Sequence, residues 1–253
     1  MDYKIVICSH NRSEILKKKT LAFLCHHKIP LSSICIFVAP EEVEVYKAVL
    51  PEYDILPGRL TLAANRNAVI EYFPEGTPLF FMDDDVRNFL ISRDNKLKPL
   101  ENLDRLITDG FLEARQRGIS LWGLYPVPNA KWLSNTVSVG LVFCYGCSFG
   151  LFNWKGLIHD FCFKEDFERC LKIYQKDGKL LRLNWVAPQQ SYSAGSGGLN
   201  QTRTLEKEKQ GCERLVALFP SLVFLKKQKK NKHDIYFPQK LSKKESPQFA
   251  LIQ

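Results

Sequence analysis

The sequence contains no apolar run of the roughly 20 residues that a membrane-spanning helix requires. The longest candidates, near 139–152 and 215–225, are too short or are broken by polar groups. It also lacks a basic start followed by an apolar stretch and a small-residue cleavage site, which argues against a secretory signal. No internal repeat and no clear linker interrupt it before about residue 226. These absences leave a cytoplasmic, intracellular protein with one main domain and no membrane span as the expectation.

The 253 residues are 45% hydrophobic and 12% aromatic, enough to build a sizeable core. Eight cysteines lie at 8, 25, 35, 144, 147, 162, 170 and 212. Without an export signal, reduced thiols are expected. Cys144, Cys147, His159 and Cys162 read C-x2-C-x11-H-x2-C, close to zinc-ligand spacing. Against zinc stands the apolar, strand-like setting "LVFCYGCSFGLF", where a free cysteine acts as a small buried hydrophobe. The net charge of +9 is uneven: residues 226–244 hold eight lysines and one aspartate, +7, which leaves +2 elsewhere. Residues 1–225 therefore read as a domain and 226–253 as a basic tail. That tail either meets a polyanionic partner or is simply solvated.

Along the domain, apolar stretches alternate with helical spacing. "YKIVIC" (3–8), "SICIFVA" (33–39) and "TPLFFM" (77–82) read as strands. A helical stretch reaching Leu24, "EEVEVYKAVL" (41–50) and "RNAVIEYF" (66–73) read as helices. This alternation predicts an α/β domain with a parallel or mixed sheet. Ligands of such sheets bind beyond the carboxyl ends of the strands, so "SHNR", "APE" and "DDD" should face one crevice. Further on, helices are expected over 106–118, 164–178 and from Thr204 to Phe219. "SLWGLYPV" supplies a strand, and "SVGLVFCYGCSFGLFN" a long strand or a hairpin through its glycines. "SYSAGSGGLNQTR" (191–203) reads as a loop.

Three consecutive aspartates, Asp83, Asp84 and Asp85, end the buried-looking strand. Such carboxylates repel one another unless they share a cation. A hard Mg2+ or Mn2+, with phosphate oxygens completing its shell, is the straightforward use. The ion then offsets charge on a departing diphosphate. Alternation along an extended segment puts Asp83 and Asp85 on one side, around the metal, and Asp84 on the other, nearer sugar or ribose hydroxyls. An acidic turn capping a helix over "VRNFL" is the plainer alternative.

With "SHNR" after the first strand, "VAPEE" after the second and "GRLTLAANRNAVIEYF" before the aspartates, residues 3–203 resemble the metal-dependent, nucleotide-sugar-using glycosyltransferases of the GT-A fold. More narrowly, "SH-x-R", "RN", "MDDDV" and a late "ED" followed by "GG" are similar to the TET-associated glycosyltransferases, thought to act on hydroxymethylated pyrimidines in DNA. The resemblance implies a GT-A (Rossmann-like) fold with a mixed central sheet. It implies a UDP-sugar donor, glucose being the expected sugar, and DNA carrying 5-hydroxymethylpyrimidine as acceptor, a glycan or protein being the rival.

Carried onto this sequence, the resemblance assigns Ser9, His10 and Arg12 to the base and ribose, with Glu41 at the edge of the base pocket. It assigns Arg66 to the diphosphate, which a guanidinium fork binds bidentately. Asp166 becomes the base of an inverting hexosyl transfer, with Glu165 as the alternative. "SAGSGG" is expected to close over the donor, and His233 is a further candidate metal ligand. Turn chemistry accounts equally for "SHN", and helix-dipole preference for "ED". Trp122, Tyr125, Trp132 and Trp154 could stack on an extruded base or belong to the core. A haloacid-dehalogenase-like phosphohydrolase also uses Asp-x-Asp, but after its first strand. A nucleotidyltransferase needs a glycine-rich loop after the first strand, and "SHNRSEILKKK" has no glycine.

Overall fold

A computed structural model describes residues 1–160, 163–190, 204–226 and 234–249. Its centre is a mixed sheet that counts nine strands among the described residues, in the order β14-β8-β10-β7-β9-β4-β1-β2-β3. β1 (Lys4–Cys8), β2 (Ile34–Val38), β3 (Asp54–Pro57) and β4 (Pro78–Met82) run parallel as one block. β9 (Ser148–Phe152) is antiparallel to both β4 and β7 (Leu121–Leu124). β10 (Leu180–Leu183) is parallel to β7 and antiparallel to β8 (Val137–Gly140).

Successive residues of these strands enter different cores, as the period of two requires. Ile5, Ile7, Phe80 and Met82 pack on one side of the sheet, and Val6, Leu79 and Phe81 on the other. Both sides are covered, which is why β1, β2 and β4 read as continuous apolar runs. On the first side Trp122 is fully buried and stacks on Phe80 at 5.4 Å. A Cβ at Gly150 would lie 2.0 Å from its ring, so that strand position has room only for glycine. Trp122 is therefore core and unavailable to stack on a base. Trp132 is exposed, and the Arg182 guanidinium lies 5.0 Å from the Tyr125 ring centre.

The helices flank this sheet. α1 (Ser13–Leu16) and α2 (Ala22–His26) are joined through a π-helical segment, Lys17–Leu21. α3 (Val43–Val49), α4 (Leu62–Tyr72), α5 (Leu103–Gln116), α6 (Glu165–Asp177) and α7 (Leu205–Leu218) follow in chain order. Asn102 and Thr204 cap α5 and α7 by accepting from the backbone N–H three residues on. A smaller sheet, β11-β5-β6, stands beside the main one. It consists of β5 (Val86–Arg93), β6 (Lys96–Pro99) and β11 (Val186–Gln190).

Three expectations need correction. "VRNFL" is the start of β5, not a helix, so the aspartates cap nothing. β8 and β9 are not paired as a hairpin. They lie on opposite sides of β7 and β10, with 141–147 crossing between them. An apolar run buried on all sides carries no periodic mark of where one strand stops. The segment set apart as a basic tail also contributes structure. β12 (Phe224–Leu225) pairs with β13 (Ile235–Tyr236), and β14 (Ser242–Glu245) adds an edge strand to β8. Glu245 is ion-paired with Arg117 at the end of α5. Among the described residues no helix is long and apolar enough to cross a membrane.

Candidate functional site

The carboxyl ends of β1 and β4 open onto a cleft of about 1110 Å³, and the "APE" turn after β2, expected in the same crevice, does not line it. Its wall brings together the loop after β1, the aspartates after β4, α4, the 141–147 loop and the start of α6. The aspartate turn is held from below by the π-helical segment. Thr20 Oγ1 donates to the Asp83 carbonyl at 2.8 Å and accepts from the Val86 N–H at 3.0 Å. A π turn inserted in a helix commonly marks such a functional requirement.

Asp83 and Asp85 face the same donor: Gln190 Nε2 lies 3.0 Å from Asp83 Oδ2 and 3.3 Å from Asp85 Oδ1. Asp84 points elsewhere and is buried. Its Oδ2 accepts from Ser9 Oγ at 2.7 Å and its Oδ1 from Arg12 Nη1 at 3.1 Å. Ser9 Oγ also meets the Tyr46 hydroxyl at 2.8 Å, and that hydroxyl accepts from the Arg12 N–H. Ser9, Arg12 and Asp84 are thus tied to one another.

Burial raises the pKa of all three aspartates, and their mutual repulsion adds to it for Asp83 and Asp85. Asp83 reaches about 7 although Arg66 opposes the shift. Carboxylates so disfavoured as anions gain most from a nearby cation. Among the described residues no three His, Cys, Asp or Glu groups form a metal cage. Two carboxylates converging on one point do suit Mg2+ or Mn2+, which take few protein ligands and fill the shell with water and phosphate. Asp83 and Asp85 therefore fit a divalent ion in the place where the Gln190 amide now donates.

Arg66 is buried in α4 and joins three walls of the cleft. Its Nη1 is ion-paired with Glu165, its Nη2 donates to the Gly146 carbonyl at 2.8 Å, and Nη2 lies 3.6 Å from Asp83 Oδ1. Gly146 comes so close that a Cβ there would sit 3.2 Å from Glu165 Oε1 and 3.4 Å from the Asp166 Cβ. Asp166 opens α6 next to Glu165. Burial and the Glu165 charge raise it to about 7, with Arg169 opposing. Below it Arg169 is fully buried against the Phe149 ring, 3.6 Å from its centre, and donates to the Cys144 carbonyl at 3.1 Å.

Ser9, His10, Arg12, Arg66, Asp83, Asp84, Asp85, Glu165 and Asp166 all line the cleft. Glu41 does not: it is exposed on a one-turn helix, and its neighbour Glu42 is buried instead. Glu42 takes His10 Nδ1 at 2.9 Å and the Asn11 N–H at 2.6 Å. His233 and "SAGSGG" lie outside the described residues. So does Cys162; of its suggested zinc partners, Cys144 and Cys147 are core residues. Burial, with Arg169 and Arg66 nearby, keeps His159 neutral. Gln190, Tyr46, Thr20 and Glu42 escaped sequence reasoning, since each acquires its role from a distant segment.

No family model and no curated protein matches this sequence. Solved structures do match in three dimensions. TarS 1-349 from S. aureus in complex with UDP-GlcNAc aligns with TM-score 0.59 at 12% identity, over 86% of this chain and 66% of that one. The mannosyltransferase PcManGT from Pyrobaculum calidifontis, in complex with GDP-Man and Mn2+, aligns with TM-score 0.55 at 12% identity, over 85% and 64%. The chain thus spans just under two thirds of the length of either. These likenesses establish the fold, an α/β GT-A glycosyltransferase fold with a large mixed central sheet. The aspartates follow the fourth strand of that sheet, which sets aside the phosphohydrolase reading.

Proposed function

We propose that the protein is a metal-dependent glycosyltransferase that moves a hexose from a UDP-sugar, glucose by preference, to a hydroxyl acceptor, with 5-hydroxymethylpyrimidine in DNA as that acceptor. The carrying observation is the meeting of Asp83 and Asp85 with Arg66 and the Glu165–Asp166 turn in one cleft. In this reading Asp83 and Asp85 hold Mn2+ or Mg2+, which supplies charge neutralisation for the diphosphate leaving group. Arg66 assists at the same diphosphate. Ser9, His10 and Arg12 receive the nucleoside, and Asp84 keeps Ser9 and Arg12 in position. Asp166 takes the acceptor hydroxyl's proton in an inverting transfer. Glu165 is engaged by Arg66, which favours Asp166 for this role.

Support for a nucleotide-sugar donor comes from the two structural neighbours, described with UDP-GlcNAc and with GDP-Man and Mn2+. Support for DNA comes from the sequence resemblance and the basic charge. The test is a screen of nucleotide sugars with Mn2+ against hydroxymethylated DNA, unmodified DNA and oligosaccharides, read by mass spectrometry. The expected result is a hexose mass on hydroxymethylated DNA only, abolished by chelator. Transfer to oligosaccharides alone would replace the acceptor; absence of any donor turnover would remove the enzyme assignment.

A further inference from the structure

A second groove, of about 570 Å³, lies behind the aspartate turn. Lys18, Lys19, His26 and His27 line it from the π segment and α2. Arg87 and Asn88 line it from the start of β5. Phe23, Pro99 and Leu100 add apolar lining, and among the described residues no carboxylate lines it. Lys18 reaches one acid at its rim, an exposed Glu14 at 3.4 Å. The groove adjoins the candidate catalytic cleft through the chain itself. Lys19 precedes Thr20, which holds the Asp83 carbonyl, and Arg87 follows Asp85 by two residues.

The two lysines come from the π-helical segment and Arg87 from β5, so the charge along the groove is supplied by two elements. Basic side chains drawn from two elements offer contacts to successive phosphates of a chain molecule. Neither the core nor a helix cap uses Lys18 or Arg87, whereas Lys19 also acts electrostatically on Asp84 and Asp85. We infer that this groove binds the phosphodiester backbone of a nucleic-acid acceptor and leads it past the aspartate turn. The inference rests on the nucleic-acid reading of the acceptor. It adds a positioning surface outside the cleft, made of Lys18, Lys19, His26 and Arg87. Contacts to backbone phosphates orient a duplex without reading its sequence, and the base chemistry is left to the cleft.

The test uses the full chain and a short fluorescent DNA duplex, titrated by anisotropy at several salt concentrations. Lys18→Glu/Arg87→Glu should lower affinity about tenfold or more and reduce the salt slope by about two, one for each lost phosphate contact. The milder Lys18→Gln/Arg87→Gln should lie between. Binding of UDP with Mn2+ should be unchanged in both, which also certifies folding. Wild-type affinity and slope in both variants would overturn the groove, whatever the acceptor proves to be. Heparin competing as well as DNA at equal charge would overturn the nucleic-acid assignment. Duplex binding lost in the variants, with no transfer to hydroxymethylated DNA by the wild type, would keep the groove and sink the acceptor reading alone.

Discussion

Arg66 and Glu165, 99 residues apart in sequence, form a buried ion pair that ties α4 to the first turn of α6. Among the described residues the second Glu165 oxygen is buried without a hydrogen-bond partner, so the carboxylate depends on this one arginine. Removing one member of such a pair leaves an uncompensated charge, which typically costs about 3–5 kcal/mol. Arg66→Met should therefore lose about that much stability in urea denaturation. Arg66→Met/Glu165→Met should recover part of it, because the Glu165 charge goes too, while Asp83 still loses its arginine. A single Arg66→Met variant as stable as the wild type would show that solvent reaches the pair.

Asp83 and Asp85 share the Gln190 amide, and the proposed ion would take its place. Calorimetry with UDP should show binding that requires Mn2+ and is greatly weakened in Asp83→Ala and Asp85→Ala. Asp84→Asn should behave differently, because Asp84 meets Ser9 and Arg12 rather than the amide. It should loosen the β1 loop and weaken nucleotide binding in Mn2+ while leaving the metal requirement itself in place. Equal UDP affinity in chelator and in Mn2+ would remove the metal role.

The central strands were legible because β1, β2 and β4 are buried on both faces and bounded by turn residues. The order of "SHNR", "RN" and "DDD" around them was legible for the same reason. What stayed hidden depends on pairing between distant segments. Gln190 becomes a partner of the aspartates only because β11 runs antiparallel to β5, with a register shift between Gln189 and Gln190. A bulge of this kind re-aims a side chain, and the stretch "VAPQQ" gives no sign of it. Glu41 and Glu42 are adjacent and chemically alike. Only the geometry of the turn decides that Glu42 goes inward to His10 and Asn11.

The C-terminal segment offers a separate test. Ending the chain at Leu225 removes β14, exposes the ladder edge of β8 and deletes the Glu245 partner of Arg117. It also removes Asp234, which accepts from Lys164 at the N-cap of α6 at 3.2 Å and from Lys226 at 2.6 Å. An uncovered edge strand invites association. The shortened chain should melt at a lower temperature and aggregate on heating, independent of any loss of polyanion binding. Thermal unfolding followed by light scattering reads both; an unchanged midpoint would mean that the edge strand adds nothing to the fold.

Asp166 should impose opposite pH trends on activity and stability. Its folded pKa, about 7, stands above the ordinary 3.8, because burial and Glu165 disfavour the anion. Between those values the folded state binds more protons than the unfolded state, so stability falls as pH rises through that window. A base must be deprotonated, so transfer at saturating donor should rise over the same range and level off above about pH 7. Asp166→Asn should flatten the stability trend only in part, because Asp83 is also raised to about 7 and keeps its own share. The same substitution should cut transfer by about 10²–10⁴ while Mn2+-dependent UDP binding persists. The paired measurement is decisive: a flattened stability profile without loss of transfer would leave Asp166 a structural acid. A greater catalytic loss in Glu165→Gln, at equal stability, would move the base by one residue.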